Sequence, residues 1–439
     1  MNTEANKLFE SSFDLTLTEG LIALIRNKPV AQDDMDIMAL FTLDGIANML
    51  AGRRSSPGEK LMAYLQGREG DAGRRALVMG GLTHILEVDD LHKASVVHPA
   101  CVTIPAAIAL SQDQPTSGAD FLKAILFGFE ACTRVGMAVG KEHYKVWHNT
   151  ATCGTFGGAM TAATLLSLSD EECMYALGNA GTQSAGLWEF LNTGAMSKHL
   201  HAGRAAEAGI VSAQLAKLGF TGPPSVLEGP QGFFAGACPD PDPDAVLRDP
   251  DAPWQVHSTS IKPWPSCRHT HPVIDAALEL SGKIKVKDID YVDVIGYQAA
   301  IDVCDRPNPE TEYEAKFSLQ HCVAISLLDG ENVFASYNSS ARDRADGLRS
   351  RITVSAGEGY SAAYPENWGG EVTVHLRDGG EITATRNACK GDPELPLDRE
   401  QMILKARELL AFASVNDANA IVDGVLDMAH GGDVPDLKL

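Results

Sequence analysis

The chain of 439 residues is short of positive charge, with 36 lysines and arginines against 58 aspartates and glutamates and a formal net charge of −22. Such a balance argues against a general nucleic-acid surface or an anionic-membrane surface, because both depend on clustered basic groups. Any site for an anionic small molecule must therefore be built locally. The nine cysteines are scattered, with no C-x-x-C pair and no framework of short spacings. That excludes a disulfide scaffold and a cysteine-ligated zinc or iron–sulfur centre, and it fits reduced thiols in a cytoplasmic protein. Long apolar runs are missing too. "AILFGFEACT" and "CVTIPAAIAL" fall well short of the ~20 residues that span a bilayer, so no membrane helix is expected. "MNTEANKLFESSF" has no basic start followed by an apolar core, so no secretory signal is expected either. There is no internal repeat. The glycines at 154, 157 and 158 do not form a dinucleotide-binding fingerprint, and no strand pattern precedes them.

What the chain does have is 44% hydrophobic residues, ample for the two domains that its length suggests. Up to about residue 220 the pattern is helical. In "DDMDIMALFTLDGIANMLAGRR" the apolar residues recur near a 3.6-residue period, and Ser169 with Glu172 has capping-box spacing. Ala- and Gly-rich runs let helices approach closely. Prolines, glycines and aspartates then crowd residues 222–262, the mark of a long irregular connection. Strand patterns follow in "YVDVIGY" and "SRITVSA", and "EVTVHL" with "EITATR" around "RDGG" reads as a hairpin. Two helical patterns lie among them, "PVIDAALELSGK" and "EAKFSLQHCVAISLLDG". After "DPELPLD" the pattern is helical again. The expected fold is mainly α: residues 1–259 begin a large all-helical domain, 260–396 form a smaller α+β domain, and the helices of 397–439 rejoin the first.

Four segments concentrate chemistry. "HILEVDDLHKASVVHPA" holds His84, Glu87, Asp89, Asp90, His92 and His98, a density at which imidazoles and carboxylates tune one another's protonation. Asp89 and Asp90 could equally cap a solvated helix end. "EHYKVWHNTATCGTFGG" puts His148 at an apparent helix start, where free amides and the dipole favour an anion. "NTGAMSKHLHAGRAAEAG" offers Lys198, His199, His201 and Arg204 as a carboxylate-binding wall or an exposed basic patch. "KPWPSCRHTH" holds Lys262, Arg268, His269 and His271 on a chain stiffened by Pro263 and Pro265. The neighbouring cations disfavour a metal at its histidine pair, so an anion site is expected there. Together the segments describe a cationic cavity for a small di- or tricarboxylate, in which the enediolate formed by loss of an α-proton is stabilised by lysine and arginine.

In the same order, "HILEVDD", the "HP" at His98, "WHNTATCGTFG", "KHLHAGRAA", "IKPWPSCRHTHPVIDAA" and "AKFSLQHCVAISLLDG" resemble the signature segments of the MmgE/PrpD family. The resemblance implies a helical domain with an α+β lid, an active site in the cleft between them, a homodimer, and no metal or organic cofactor. Residue by residue it implies functional histidines at His98 and His148, an acidic position at Glu87 followed by Asp89 and Asp90, and substrate-facing lysines at Lys198 and Lys262. The implied reaction is a hydro-lyase of the 2-methylcitrate dehydratase type, with His98 or His148 as base and Lys198, Lys262, Arg268 and Arg204 on the carboxylates. The alternatives are an iminodisuccinate-type epimerase, with Tyr144 or His321 as the opposing partner, and a cis-aconitate decarboxylase-like enzyme. Two departures bear on this. The chain reads Glu87-Val88-Asp89-Asp90-Leu91 where dehydratases and decarboxylases of the family typically have Asp-aromatic-Asp-Asp-Thr, and His321 stands where a tyrosine is frequent.

Overall fold

In a computed structural model of the chain, which describes residues 15–437, the periodicities of the first half become a bundle of helices. The opening stretch read for a secretory signal lies outside the described residues. α1 (Leu17–Asn27) begins with a reciprocal cap in which the Thr16 hydroxyl accepts from the Glu19 amide and the Glu19 carboxylate from the Thr16 amide. α2 (Gln32–Gly52) is long and apolar enough to match a membrane span by length and composition, but its hydrophobic perimeter is buried among other helices, the pattern of a core helix. Next come α3 (Ser56–Leu65), α4 (Ala72–His84), α5 (Ala100–Ser111) and α6 (Gly118–Ala138). α7 (Gly154–Leu165), α8 (Asp170–Gly181) and α9 (Ser197–Lys217) complete this part of the bundle. α8 starts with the reciprocal Ser169–Glu172 cap that the spacing predicts.

Small residues set the packing. α9 runs against both α4 and α7, with Gly203 facing the Leu77 carbonyl and Gly209 facing the backbone of Gly158 and Ala159. The irregular connection after α9 is anchored by Trp254, which is buried, stacked on Phe127 at 5.5 Å, and donates its indole N–H to the Pro29 carbonyl. A strand pair that the sequence does not announce links this connection to the first half. β1 (Leu91–His92) pairs antiparallel with β2 (Thr259–Ser260).

The α+β domain is a four-stranded sheet in the order β4–β3–β5–β6. β3 (Ile289–Gly296) pairs parallel with β4 (Ile352–Ala356), while β5 (Gly370–Leu376) and β6 (Glu381–Arg386) form the expected hairpin. α10 (His271–Ser281) and α11 (Leu319–Asp329) share a core with the sheet in which Val273, Leu280, Val323, Val292 and Val372 meet. α12 (Ser339–Arg349) is a further lid helix with no clear sequence signal. It buries little besides Ala341, Ala345 and Leu348, a thin stripe among arginines and aspartates.

α13 (Arg399–Phe412) and α14 (Ala418–Asp427) pack back on α2. Met402, Ala406, Leu409 and Leu410 join the same core as Leu43 and Ala47. The architecture is thus mainly α, with a large helical body and a smaller α+β part.

A methyl group at Gly209 would overlap the Gly158 and Ala159 backbone, so Gly209→Ala should destabilise the protein by about 1–3 kcal/mol, the usual cost of overpacking. Gly236 faces open space, and Gly236→Ala should stay within about 0.5 kcal/mol. Denaturant midpoints at constant m value check both.

Candidate active site

The site grows from the loop between α4 and α5. Glu87 in this loop sits at φ +60°, a left-handed conformation that is costly for a side chain bearing a Cβ and persists only when its surroundings hold it. Three residues on, Asp90 accepts from the Ala100 amide with both oxygens at 3.2 Å, tying the loop to the first turn of α5. Nothing here is a solvated helix end, since Glu87, Asp89 and Asp90 are all completely buried.

Two histidines, His84 and His98, gather around Asp89, with His148 beside them. The His84 ring lies 4.6 Å from that of His98 and 5.7 Å from that of His148, and Asp89 Oδ2 is 2.7 Å from His84 Nδ1 and 3.6 Å from His98 Nδ1. The tautomer of His98 follows from its partner. Its Nδ1 is 2.5 Å from the Asp90 carbonyl oxygen, which can only accept, so Nδ1 carries the proton and Nε2 keeps a free lone pair. Burial pushes the His98 imidazole well below its ordinary value despite nearby Asp89. It rests neutral, the state a general base requires.

Cations close in on the carboxylates from two directions. Lys198, in the first turn of α9, places Nζ 2.5 and 2.7 Å from the two Glu87 oxygens. Lys262, from the chain entering the lid, places Nζ 3.6 Å from Glu87 Oε2 and 3.4 Å from Asp89 Oδ1. Burial alone would raise the Glu87 carboxyl, but the lysines overcome it and hold it well below the carboxylate range. Asp89 behaves likewise through His84 and Lys262. Asp90 goes the other way: burial and the adjacent Asp89 push it well up, so it stays protonated.

Glu87, His98, His148, Lys198, Arg268 and His269 line one small cavity of about 20 Å³, room for little more than one water. His269 stands between two phenols, Tyr297 at 2.7 Å and Tyr144 at 3.4 Å, and stacks on Trp368. Burial and then Arg268 depress its imidazole to about 3. Arg268 is held by Asp392, leaving its Nη1 without a partner. A second cavity of about 810 Å³ shares Val96, Tyr144, Trp188 and Val303 with the first. Buried Trp188 Nε1 also has no partner, so the shared wall offers an unused N–H donor.

Three sequence expectations are corrected. Arg204 is excluded from the cavity: it lies six residues after Lys198 on α9, about 240° around a helix, and pairs with Glu207 at a half-exposed position. His321 is buried in the lid with Nε2 on the Ser336 carbonyl at 2.8 Å, and it does not line the cavity. Asp90 serves α5 rather than an incoming carboxylate. The helix start at His148 is a turn of four residues, Asn149–Thr152, and the His148 side chain meets His201 Nδ1 at 3.3 Å. Of the histidine pair in "KPWPSCRHTH", only His269 reaches the cavity. His271 packs on Trp264. The central place of His84, and the walls supplied by Trp188 and Trp368, carry no spacing signal.

His84, Asp89 and His98 present donor atoms within 4.8 Å of one another, a span a metal ion could bridge. Lys262 already occupies the approach to Asp89 with a positive charge, and the Asp90 carbonyl engages His98 Nδ1, so these residues fit a metal poorly. The arrangement is better suited to receiving carboxylates on lysine and arginine beside a neutral imidazole.

Residues 21–245 match the MmgE/PrpD N-terminal domain and residues 264–428 the MmgE/PrpD C-terminal domain. The chain belongs to the MmgE/PrpD family. Among curated members it is similar to a cis-aconitate decarboxylase of Aspergillus terreus, 25% identical over 445 residues and covering 92% of this chain and 90% of that protein. A cis-aconitate decarboxylase of Mus musculus is 27% identical over 380 residues, covering 80% of this chain and 75% of its own. That of Homo sapiens is 28% identical over 377 residues, covering 80% and 76%. The C-terminal domain match takes in the α+β part and begins just before Arg268 and His269, with Lys262 two residues ahead of it.

The depressed histidines, Glu87 and Asp89 bind fewer protons folded than unfolded, so their contribution to stability falls as pH falls, whereas the raised Asp90 carboxyl acts in the opposite direction. The histidine contribution is intact above the unfolded value of 6.5 and is lost progressively toward the folded values, about 3 for His269. The lowered Glu87 and Asp89 act in the same direction below their ordinary values of 4.5 and 3.8. Thermal melts should show a falling midpoint from about pH 6.5 downward, and His269→Gln should flatten the upper part of that slope.

Proposed function

We propose that the protein is a lyase acting on a small polycarboxylate without a cofactor, and that its reaction is decarboxylation of an unsaturated tricarboxylate of the cis-aconitate type. The observation that carries this reading is one cavity joining Lys198, Arg268 and the neutral His98, with Lys262 behind them. The names of the relatives favour loss of carbon dioxide over the hydro-lyase reaction expected from the sequence.

In that reaction the carbon–carbon bond to one carboxylate breaks, carbon dioxide leaves, and the electron pair stays on carbon. The pair delocalises into the remaining unsaturated carboxylate, where lysine and arginine cations stabilise the developing charge. A proton then moves to carbon from an N–H donor, for which the Lys198 ammonium is placed at the cavity wall. His98 takes up the compensating proton from solvent and returns it to the lysine. Leu91 lines the cavity and offers no hydroxyl there.

A second reading rests on one observation. With Nδ1 protonated, His98 is already a base, as elimination of water from a hydroxy-tricarboxylate would require.

Incubation with cis-aconitate, with headspace carbon dioxide and product followed together, should give one equivalent of each. His98→Ala should lower the rate by about 10²–10⁴-fold. Formation of a conjugated alkene from 2-methylcitrate or citrate with no gas release would transfer the assignment to the second reading. Solvent deuterium entering an imino-dicarboxylate with no bond cleaved would overturn the lyase class.

A further inference from the structure

Lys405 lies on α13, far in sequence from the loop that carries Glu87. Its side chain is nine-tenths buried. Nζ donates to the Val88 carbonyl at 2.7 Å and sits 2.6 Å from Asp44 Oδ1 on α2. The second Asp44 oxygen accepts from the Asn48 amide at 3.1 Å, so the carboxylate is fixed independently of the lysine. Val88 stands between Glu87 and Asp89, the two carboxylates of the site. On the other side of Glu87, buried Lys316 from the lid approaches the Leu86 carbonyl at 3.4 Å.

We propose that Lys405 is a positioning residue for the reaction: through the Val88 carbonyl it holds the backbone that aims Glu87 at Lys198 and Asp89 at His84. The inference rests on the reading of this loop as the active site. The Glu87 backbone is in the left-handed region and would relax toward ordinary geometry if its flanking carbonyls were released. Such relaxation would swing Glu87 and Asp89 in opposite directions. If Lys405 served only to fasten α13 to α2, its pair with Asp44 would suffice and the bond to Val88 would be superfluous. A buried ammonium is an expensive fastener between two packed helix faces, because an apolar side chain of similar size packs there at no desolvation cost.

Three variants test this with purified full-length protein. Lys405→Met removes donor and charge together. The double variant Asp44→Asn/Lys405→Met removes both charges of the pair, leaves no uncompensated ion in the core, and still deprives Val88 of its donor. Leu409→Ala, in the core on the same helix, loosens α13 without touching the loop. Both lysine variants should lower kcat on cis-aconitate by about 10–100-fold with KM little changed, as a misplacement of the reacting groups does. Leu409→Ala should lower the melting temperature and leave kcat unchanged below it.

Ring-¹⁵N histidine NMR gives a readout that needs no substrate. The His84 and His98 resonances should move in the lysine variants, while that of His375, on the outer face of the lid sheet, should not. A folded double variant with native kcat and unmoved His84 and His98 signals overturns the proposal. So does a Leu409→Ala protein with an equal loss of kcat. His98→Ala separates the two readings. Turnover that survives His98→Ala removes the active-site assignment itself, whereas turnover abolished by His98→Ala but retained in the double variant removes only the role of Lys405.

Discussion

Two adjacent buried carboxylates, Glu87 and Asp89, are the constraint on which the rest of the molecule depends. Taken out of water without compensation, each would cost several kcal/mol, and their mutual repulsion would add to that. The protein brings compensation from widely separated places: Lys198 from the start of α9, Lys262 from the chain entering the lid, and His84 from the end of α4. No single element could supply all three. The helical body, the lid and the connection between them must therefore dock together before this loop can be buried, and the cleft is where that neutralisation takes place.

The same electrostatics give the site its chemical character. Burial keeps His98, His148 and His269 neutral even among carboxylates, while Asp89 and Glu87 hold the Lys262 ammonium above its ordinary value despite its burial. A substrate carboxylate entering the cavity would meet cations already oriented by internal anions, a preorganised setting that needs little rearrangement as charge develops. Unused donors remain at Trp188, on the wall shared by the two cavities, and at Arg268 in the small one. Glu87 and Lys198 satisfy each other, whereas Lys262 Nζ and Asp89 Oδ1 are ion-paired at 3.4 Å without a hydrogen bond.

Much of this was legible in the sequence, for identifiable reasons. Helices with a broad apolar period, such as α2, and strands flanking "RDGG" announce themselves because burial imposes the pattern. The four chemical segments stood out because polar residues are dense there against apolar surroundings, and family motifs carried the order. What escaped notice has equally physical causes. α12 hides because three small or apolar residues suffice to seat it. Arg204 misled because composition places it beside Lys198, whereas helical geometry turns it to the opposite side. His321 belongs to a family motif, but a carbonyl within the lid holds its imidazole. His84 lay within a recognised segment, yet only the fold shows that Asp89 serves it most closely, and nothing near Lys405 hints at a partner 317 positions earlier.

That last separation bears on how the site comes into being. The loop with Glu87 and Asp89 is synthesised early, its lid lysine at Lys262 later, and the contact from α13 near the end. Non-local contacts of this kind form late, after the entropy of closing long loops has been overcome. A nascent or partly folded chain could hold most of its helices and still expose an unneutralised acidic loop. The cleft is then an integrity check on the whole polypeptide: it reaches its working geometry only when the first hundred residues and the last forty have found each other.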